Sequence, residues 1–306
     1  MLAAPVAAPG GLLSRYHVGC DSFPHHFPPA GCDFVSAADL LMASALGLLG
    51  GCVGGMLGLG GGIIIIPLLT LIRGPDQHFY QASLMIIYVV VALAALRKHL
   101  RKDAVRLDIL RGLAPASVVT MLLGVWLGNK MDEALLRRIF AVFLLYVIVM
   151  DAARLAREWS DGRHGRVAPI PRGETQRVPL MRGLSVGTAM GFVGGFLGVG
   201  GGTIAVPLQQ LICRINLRQS IATSTAVILV TGTIGAMAKN LTLAEATDGA
   251  RTMEDSLLLA ASLAPGAIVG GLLGSHLAHR LPMFWVRLCF VCLLTFSAAQ
   301  MSGLLD

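Results

Sequence analysis

Two runs of three consecutive glycines, at 60–62 and 200–202, hold the residues of this sequence whose type and spacing could do chemistry. Each run stands in front of a short apolar stretch, 62–72 and 202–212. Glycine lets the backbone turn where a side chain would clash. A helix that starts behind such a turn points unpaired N–H groups and the positive end of its dipole into it. An anion is the natural occupant. Two such helix starts, brought together, would bind an oxyanion through Gly60, Gly61, Gly62, Gly200, Gly201 and Gly202 with backbone donors and no fixed cationic side chain. The hydroxyls of Ser83, Thr203, Thr223, Ser224 and Thr225 would add donors.

Other motifs carry less. There is no GxxxxGK[ST], and Gly58-Leu59-Gly60-Gly61-Gly62-Ile63 fails GxGxxG at its last position, so no nucleotide loop is encoded. Cys289/Cys292 and His276/His279 each fall on neighbouring helical turns and define an alternative, an intramembrane enzyme or redox protein. Their apolar setting favours packing and boundary roles. Cys20, His25, His26 and Cys32 invite a zinc reading, but their irregular spacing favours a tail or a small disulfide loop. No catalytic constellation, metal or cofactor is called for, and the expectation is a protein that is not an enzyme.

The elements that must position these glycines follow from composition. Of 306 residues, 24 are Lys or Arg and 17 are Asp or Glu. That 13% compares with roughly 25% in soluble proteins. Hydrophobic residues make up 55%, and mean hydropathy is +0.73. So few charges cannot cover a water-soluble surface. The net charge of +7 does not indicate nucleic acid, because the basic residues lie between apolar runs, where they report orientation in a membrane. The expected partners are a small anionic substrate and membrane lipid. The spacings of Gly47, Gly51, Gly55 and of Gly187, Gly191, Gly195 read as close helix packing, within one chain or in a homo-oligomer.

Apolar runs with polar boundaries fall at 38–59, 62–72, 79–96, 108–128, 135–150, 184–200, 202–212, 220–238, 257–278 and 283–301. The second and seventh are too short to span. Residues 51–71 match 191–211 without a gap, with thirteen of twenty-one identical, including the triplets and Pro67/Pro207, which are read as structural. Ser83/Ser224 and Lys98/Lys239 continue the match at an offset of 141. The chain is thus a polar N-terminal tail (1–37), a first membrane repeat (38–150), a basic linker (151–183) and a second repeat (184–301). Five segments per repeat, the first two forming a hairpin that enters and returns, require inverted repeats. With the linker on the cytoplasmic side, Lys and Arg divide 17 inside to 7 outside. The expected fold is an all-α polytopic membrane protein of two inverted repeats with Gly-broken half-helices, the sequence pattern of secondary transporters with a substrate site near the midplane.

The doubled GxxGGxxGxGGG...P pattern resembles the sulfite exporter TauE/SafE family of bacterial membrane transporters, over essentially residues 38–301. Ala222-Thr223-Ser224 is also similar to that family's short Thr-Ser pattern, where the first repeat reads Gln81-Ala82-Ser83. The resemblance implies movement of sulfite, thiosulfate or organosulfonates across the bacterial inner membrane. A transporter of another small organic anion and a non-transporting membrane protein are the alternatives.

Overall fold

The computed structural model describes residues 37–57, 61–100, 105–160, 178–277, 291, 292, 294 and 295. Among these, helices α1 (Ala37–Leu57), α2 (Gly62–Arg73), α3 (Gln77–Leu100), α4 (Leu107–Asn129) and α5 (Glu133–Ser160) precede the linker. After it come α6 (Leu180–Leu197), α7 (Gly202–Leu208) with a π turn at Gln209–Cys213, α8 (Leu217–Leu241), the single turn α9 (Leu243–Ala246) and α10 (Met253–Leu277). No strand occurs among the described residues. Outside them lie residues 1–36 with Cys20, His25, His26 and Cys32, then Gly60, linker residues 161–177, His279, Cys289 and most of 283–301.

Among the described residues six helices, α1, α3, α4, α6, α8 and α10, are long and apolar enough to cross a membrane. Their outward faces carry Leu41, Val119, Leu123, Met181, Leu241 and other large apolar side chains that water would not tolerate at this density. The chain is a multi-pass membrane protein. Helix α5 runs past the end of the apolar run at 150. Ala152, Ala153, Leu155 and Ala156 are good helix formers, and neither Gly nor Pro interrupts them before Gly162.

Small residues decide which helices touch. Gly47, Gly51 and Gly55 of α1 face the backbone of Leu263, Ala267 and Gly271 of α10, while Gly266, Gly270 and Gly274 face back onto Ser44, Leu48 and Cys52. The numbers ascend together, so α1 and α10 run parallel. Gly187, Gly191 and Gly195 of α6 lie in the same way on Leu113, Ser117 and Met121 of α4. A Cβ on any of these glycines would collide with main-chain atoms, so the spacing has the packing role assigned to it. Between the two seams, α3 lies along α8 with opposite sense: Val89 is beside Gly232, and Asn240 Nδ2 donates to the Ala82 carbonyl at 3.2 Å.

Each end of the bundle is fastened by polar groups. At one end Arg251 Nε meets Asp76 Oδ2 at 2.6 Å, the Gln77 N–H donates to Glu133 Oε1 at 3.0 Å, and Asn129 Nδ2 donates to Thr242 Oγ1 at 2.6 Å. Burial pushes the Asp76 carboxyl up from its ordinary value, against the lowering pull of Arg251. At the other end Arg106 holds Asp108 at 2.6 and 2.8 Å, and Cys213 is within electrostatic reach of Arg106, Asp108 and Arg182. Loops 74–76, 130–132 and 242–252 therefore share one end, and residues 105–108, 178–182 and 213 the other.

Candidate functional site

Both short helices begin in the same way. Gly61 (φ 79°) and Gly201 (φ 69°) are left-handed, a conformation that L side chains adopt only with strain, and α2 and α7 start on the next residue. The Gly61 carbonyl accepts from Ile64 and Ile65 N–H at 3.1 and 3.4 Å, and the Gly201 carbonyl from Ile204 and Ala205 at 3.2 and 3.0 Å. Helix geometry leaves the N–H groups of Gly62 and Ile63, and of Gly202 and Thr203, without intrahelical acceptors. Each turn is folded onto the long helix before it. A Cβ at Gly61 would strike the Gly50 carbonyl, and one at Gly201 the Met190 carbonyl, which are equivalent positions 140 residues apart. Pro67 and Pro207 sit at the sixth position of their helices and withhold a donor from the carbonyls of Ile63 and Thr203. Two residues beyond Pro207 the second helix loosens into its π turn.

The two glycine runs meet at one side chain. A methyl group at Gly62 would overlap Tyr88 Oη, and one at Gly200 would come to 3.1 Å from the Tyr88 ring. Tyr88 is the twelfth of the 24 residues of α3. At 1.5 Å per residue it lies about 16 Å from the start of that helix, close to half of a ~30 Å hydrocarbon core. Its ring is buried, and among the described residues its hydroxyl has no hydrogen-bond partner, nor does Thr203 Oγ1 on the first turn of α7. Two turns before Tyr88, Gln81 lies against Gly198 with both side-chain amide atoms buried and unpartnered. Buried polar groups are normally satisfied by protein or by water, so these atoms are candidates to meet a polar occupant.

The remaining hydroxyls are divided between the ends. Ser83 Oγ donates to the Phe79 carbonyl at 3.0 Å and lies within hydrogen-bond distance of Ser256 Oγ at 3.2 Å, on the Asp76 side. Thr223 Oγ1 accepts from the Arg106 N–H at 3.1 Å, Ser224 Oγ accepts from Gln209 Nε2 at 2.8 Å, and Thr225 Oγ1 donates to the Ile221 carbonyl at 2.8 Å, all on the Arg106 side. Because Ala82 faces Asn240, the level of Ser83 is some fifteen residues along α8 from Ser224, roughly 22 Å. The structure brings Gly61, Gly62, Gly200, Gly201, Gly202 and Thr203 together and leaves Ser83 and Thr223–Thr225 on opposite flanks.

The family described as sulfite exporter TauE/SafE matches residues 43–301, nearly the whole membrane portion. The chain belongs to the TauE/SafE family. It is 27% identical to the "probable membrane transporter protein" MamO of Magnetospirillum gryphiswaldense, over 92% of this chain and 49% of that protein. The MamO of Paramagnetospirillum magneticum is 26% identical over 81% of this chain and 42% of its own. The "probable membrane transporter protein" YunE of Bacillus subtilis is 24% identical over 77% and 87%. The chain spans about half the length of the two MamO proteins it matches. No solved structure matches it.

In this TauE/SafE chain sequence reasoning overlooked Gln81 and Tyr88. Neither is duplicated, since the equivalent positions of α8 are Ala222 and Leu229, so a search by internal repeat passes over them. The available signal was a single tyrosine in the middle of an apolar span.

Proposed function

We propose that this protein is a secondary transporter of small sulfur-containing anions, sulfite, thiosulfate or an organosulfonate, in the bacterial inner membrane. The anion is held near the midplane between the first N–H groups of α2 and α7, with the Tyr88 and Thr203 hydroxyls as further donors. The observation that carries the reading is the convergence of both glycine turns on Tyr88 half-way along α3. Backbone donors at two helix starts would hold an oxyanion without a strong fixed charge, which lets it leave again.

The two halves are read as inverted repeats, related by an axis in the membrane plane. Supporting this are the antiparallel pairing of the equivalent helices α3 and α8 and the exchange of α1 on α10 for α6 on α4. Movement of one repeat against the other would open the glycine site to each end in turn. The excess of basic residues at the Arg106 end and in the linker supports reading that side as cytoplasmic. Ser83 and Thr223–Thr225 are then hydroxyls of the two approaches, with the protein acting as a carrier and not as an enzyme.

The experiment is uptake of labelled sulfite into liposomes holding the purified full-length protein, with thiosulfate, sulfoacetate, sulfate, acetate and chloride as competitors. Protein-dependent uptake blocked by sulfur anions is expected. Blockage by acetate and not by sulfur anions would reassign the substrate class, and absence of uptake under proton, sodium and voltage gradients would reject the transporter reading.

A further inference from the structure

The sequence places Lys239 at the edge of a polar loop, but the structure keeps it in the last turns of α8 with its side chain fully buried. The Lys239 ammonium donates to Asn129 Oδ1 of α4 at 2.5 Å and lies 3.4 Å from His78 Nδ1 of α3. His78 Nε2 is 3.2 Å from the Met131 carbonyl, which can only accept, so Nε2 carries the hydrogen and Nδ1 presents its lone pair to the ammonium. Asn129 is oriented in turn by Thr242. Both partners of the lysine are neutral. Among the described residues no carboxylate lies within ion-pair distance of it: Asp76 is taken by Arg251, Glu133 by the Gln77 N–H, and Asp132 acts electrostatically on His78 without reaching the ammonium.

A buried cation without a counter-ion is costly, and an anion arriving beside it would offset that cost. An ammonium has three donors, of which these contacts use two. The way inward from it is polar on one side of α3. His78, Gln81 and Tyr88 are spaced three and seven residues apart and so lie close to one face, and the Gln81 amide and Tyr88 hydroxyl on it are unpartnered. The α8 end of the path is thus Lys239, its middle Gln81 against Gly198, and its far end Tyr88 between the glycine turns.

We infer that Lys239, with His78 and Asn129 fixing its position, is a second anion site at the Asp76 end of the bundle. It receives a small oxyanion of the transported class before the oxyanion passes Gln81 to the midplane. This deepens the transport reading above and takes its ligand from it. The alternative role for the lysine is a clamp between the ends of α3, α4 and α8.

Two measurements on the full-length protein separate these roles: initial rates of labelled sulfite uptake, and thermal stabilisation by sulfite in detergent. They are made for the wild type, Lys239→Arg and Lys239→Met. Loss of a charge-assisted contact predicts a KM about ten- to a hundredfold higher for Lys239→Met, with the maximal rate little changed and the stabilisation by sulfite gone. Lys239→Arg recovers most of both. A wild type that carries no sulfite, yet is stabilised by it in a Lys239-dependent way, would uphold the site and remove the transport reading. A wild-type KM and undiminished stabilisation in Lys239→Met would overturn the site and leave transport standing. An equal fall of maximal rate and basal Tm in both variants, with KM unchanged, would make the lysine a clamp and also overturn it.

Discussion

Helices α3 and α8 occupy equivalent places in the two halves and lie side by side in opposite senses, yet they are lined differently. On α3, Gln81 and Tyr88 face the glycine turns, whereas α8 has Ala222 and Leu229 at those positions. The seams α1/α10 and α4/α6, in contrast, repeat almost contact for contact, as do Gly61 on Gly50 and Gly201 on Met190. What is duplicated is the frame, in which glycine permits backbone to touch backbone. What is not duplicated is the polar lining. The polar side chains beside the two helix starts are therefore not symmetric: Gln81 and Tyr88 both come from α3.

The frame should break hardest. Gly51→Leu or Gly191→Leu would drive a side chain into the Ala267 or Ser117 carbonyl, so a loss of more than about 3 kcal/mol is expected, read as failure to recover monodisperse protein from membranes. A variant that purifies normally would show that the seams are looser than their contacts imply.

Next in size is Gly62→Ala, whose methyl overlaps Tyr88 Oη. Sulfite uptake should be abolished, and pairing it with Tyr88→Leu, which copies Leu229 of the other half, should restore folding but not uptake. Recovery of uptake in the double variant would mean that α3 contributes shape alone.

Tyr88→Phe removes one unpartnered oxygen. An apparent affinity about tenfold weaker is expected, with thermal stability unchanged or higher by ~1 kcal/mol, because an unsatisfied buried hydroxyl costs free energy. Unchanged uptake kinetics would take the hydroxyl out of the site.

The smallest effect belongs to the Asp76–Arg251 pair. Burial opposes ionisation of Asp76, so the raised carboxyl favours the folded state at low pH, and that contribution fades as pH rises through its folded value. Replacing the pair by Asn and Gln should change stability at neutral pH by no more than about 1 kcal/mol, measured by thermal unfolding. A larger loss would show that this end of the bundle depends on its ion pair.

The amino-acid sequence by itself determined that the chain is a helical membrane protein, because 13% charged residues cannot cover a soluble surface. It drew attention to the two glycine triplets and the short apolar stretches behind them, since glycine triplets and a fixed Pro spacing have local consequences for the backbone. It also marked Gly47, Gly51, Gly55 and their counterparts as contact surfaces. Only the tertiary structure decided which helices those surfaces meet, α1 with α10 and α6 with α4, because spacing defines a face but not its partner. It alone separated Ser83 from Thr223–Thr225, because the antiparallel pairing sends equivalent positions to opposite ends. Tyr88 and Lys239 were hidden for a related reason. Hydropathy averages over a window and is blind to a single polar atom, and burial of that atom is set by helices that are distant in sequence.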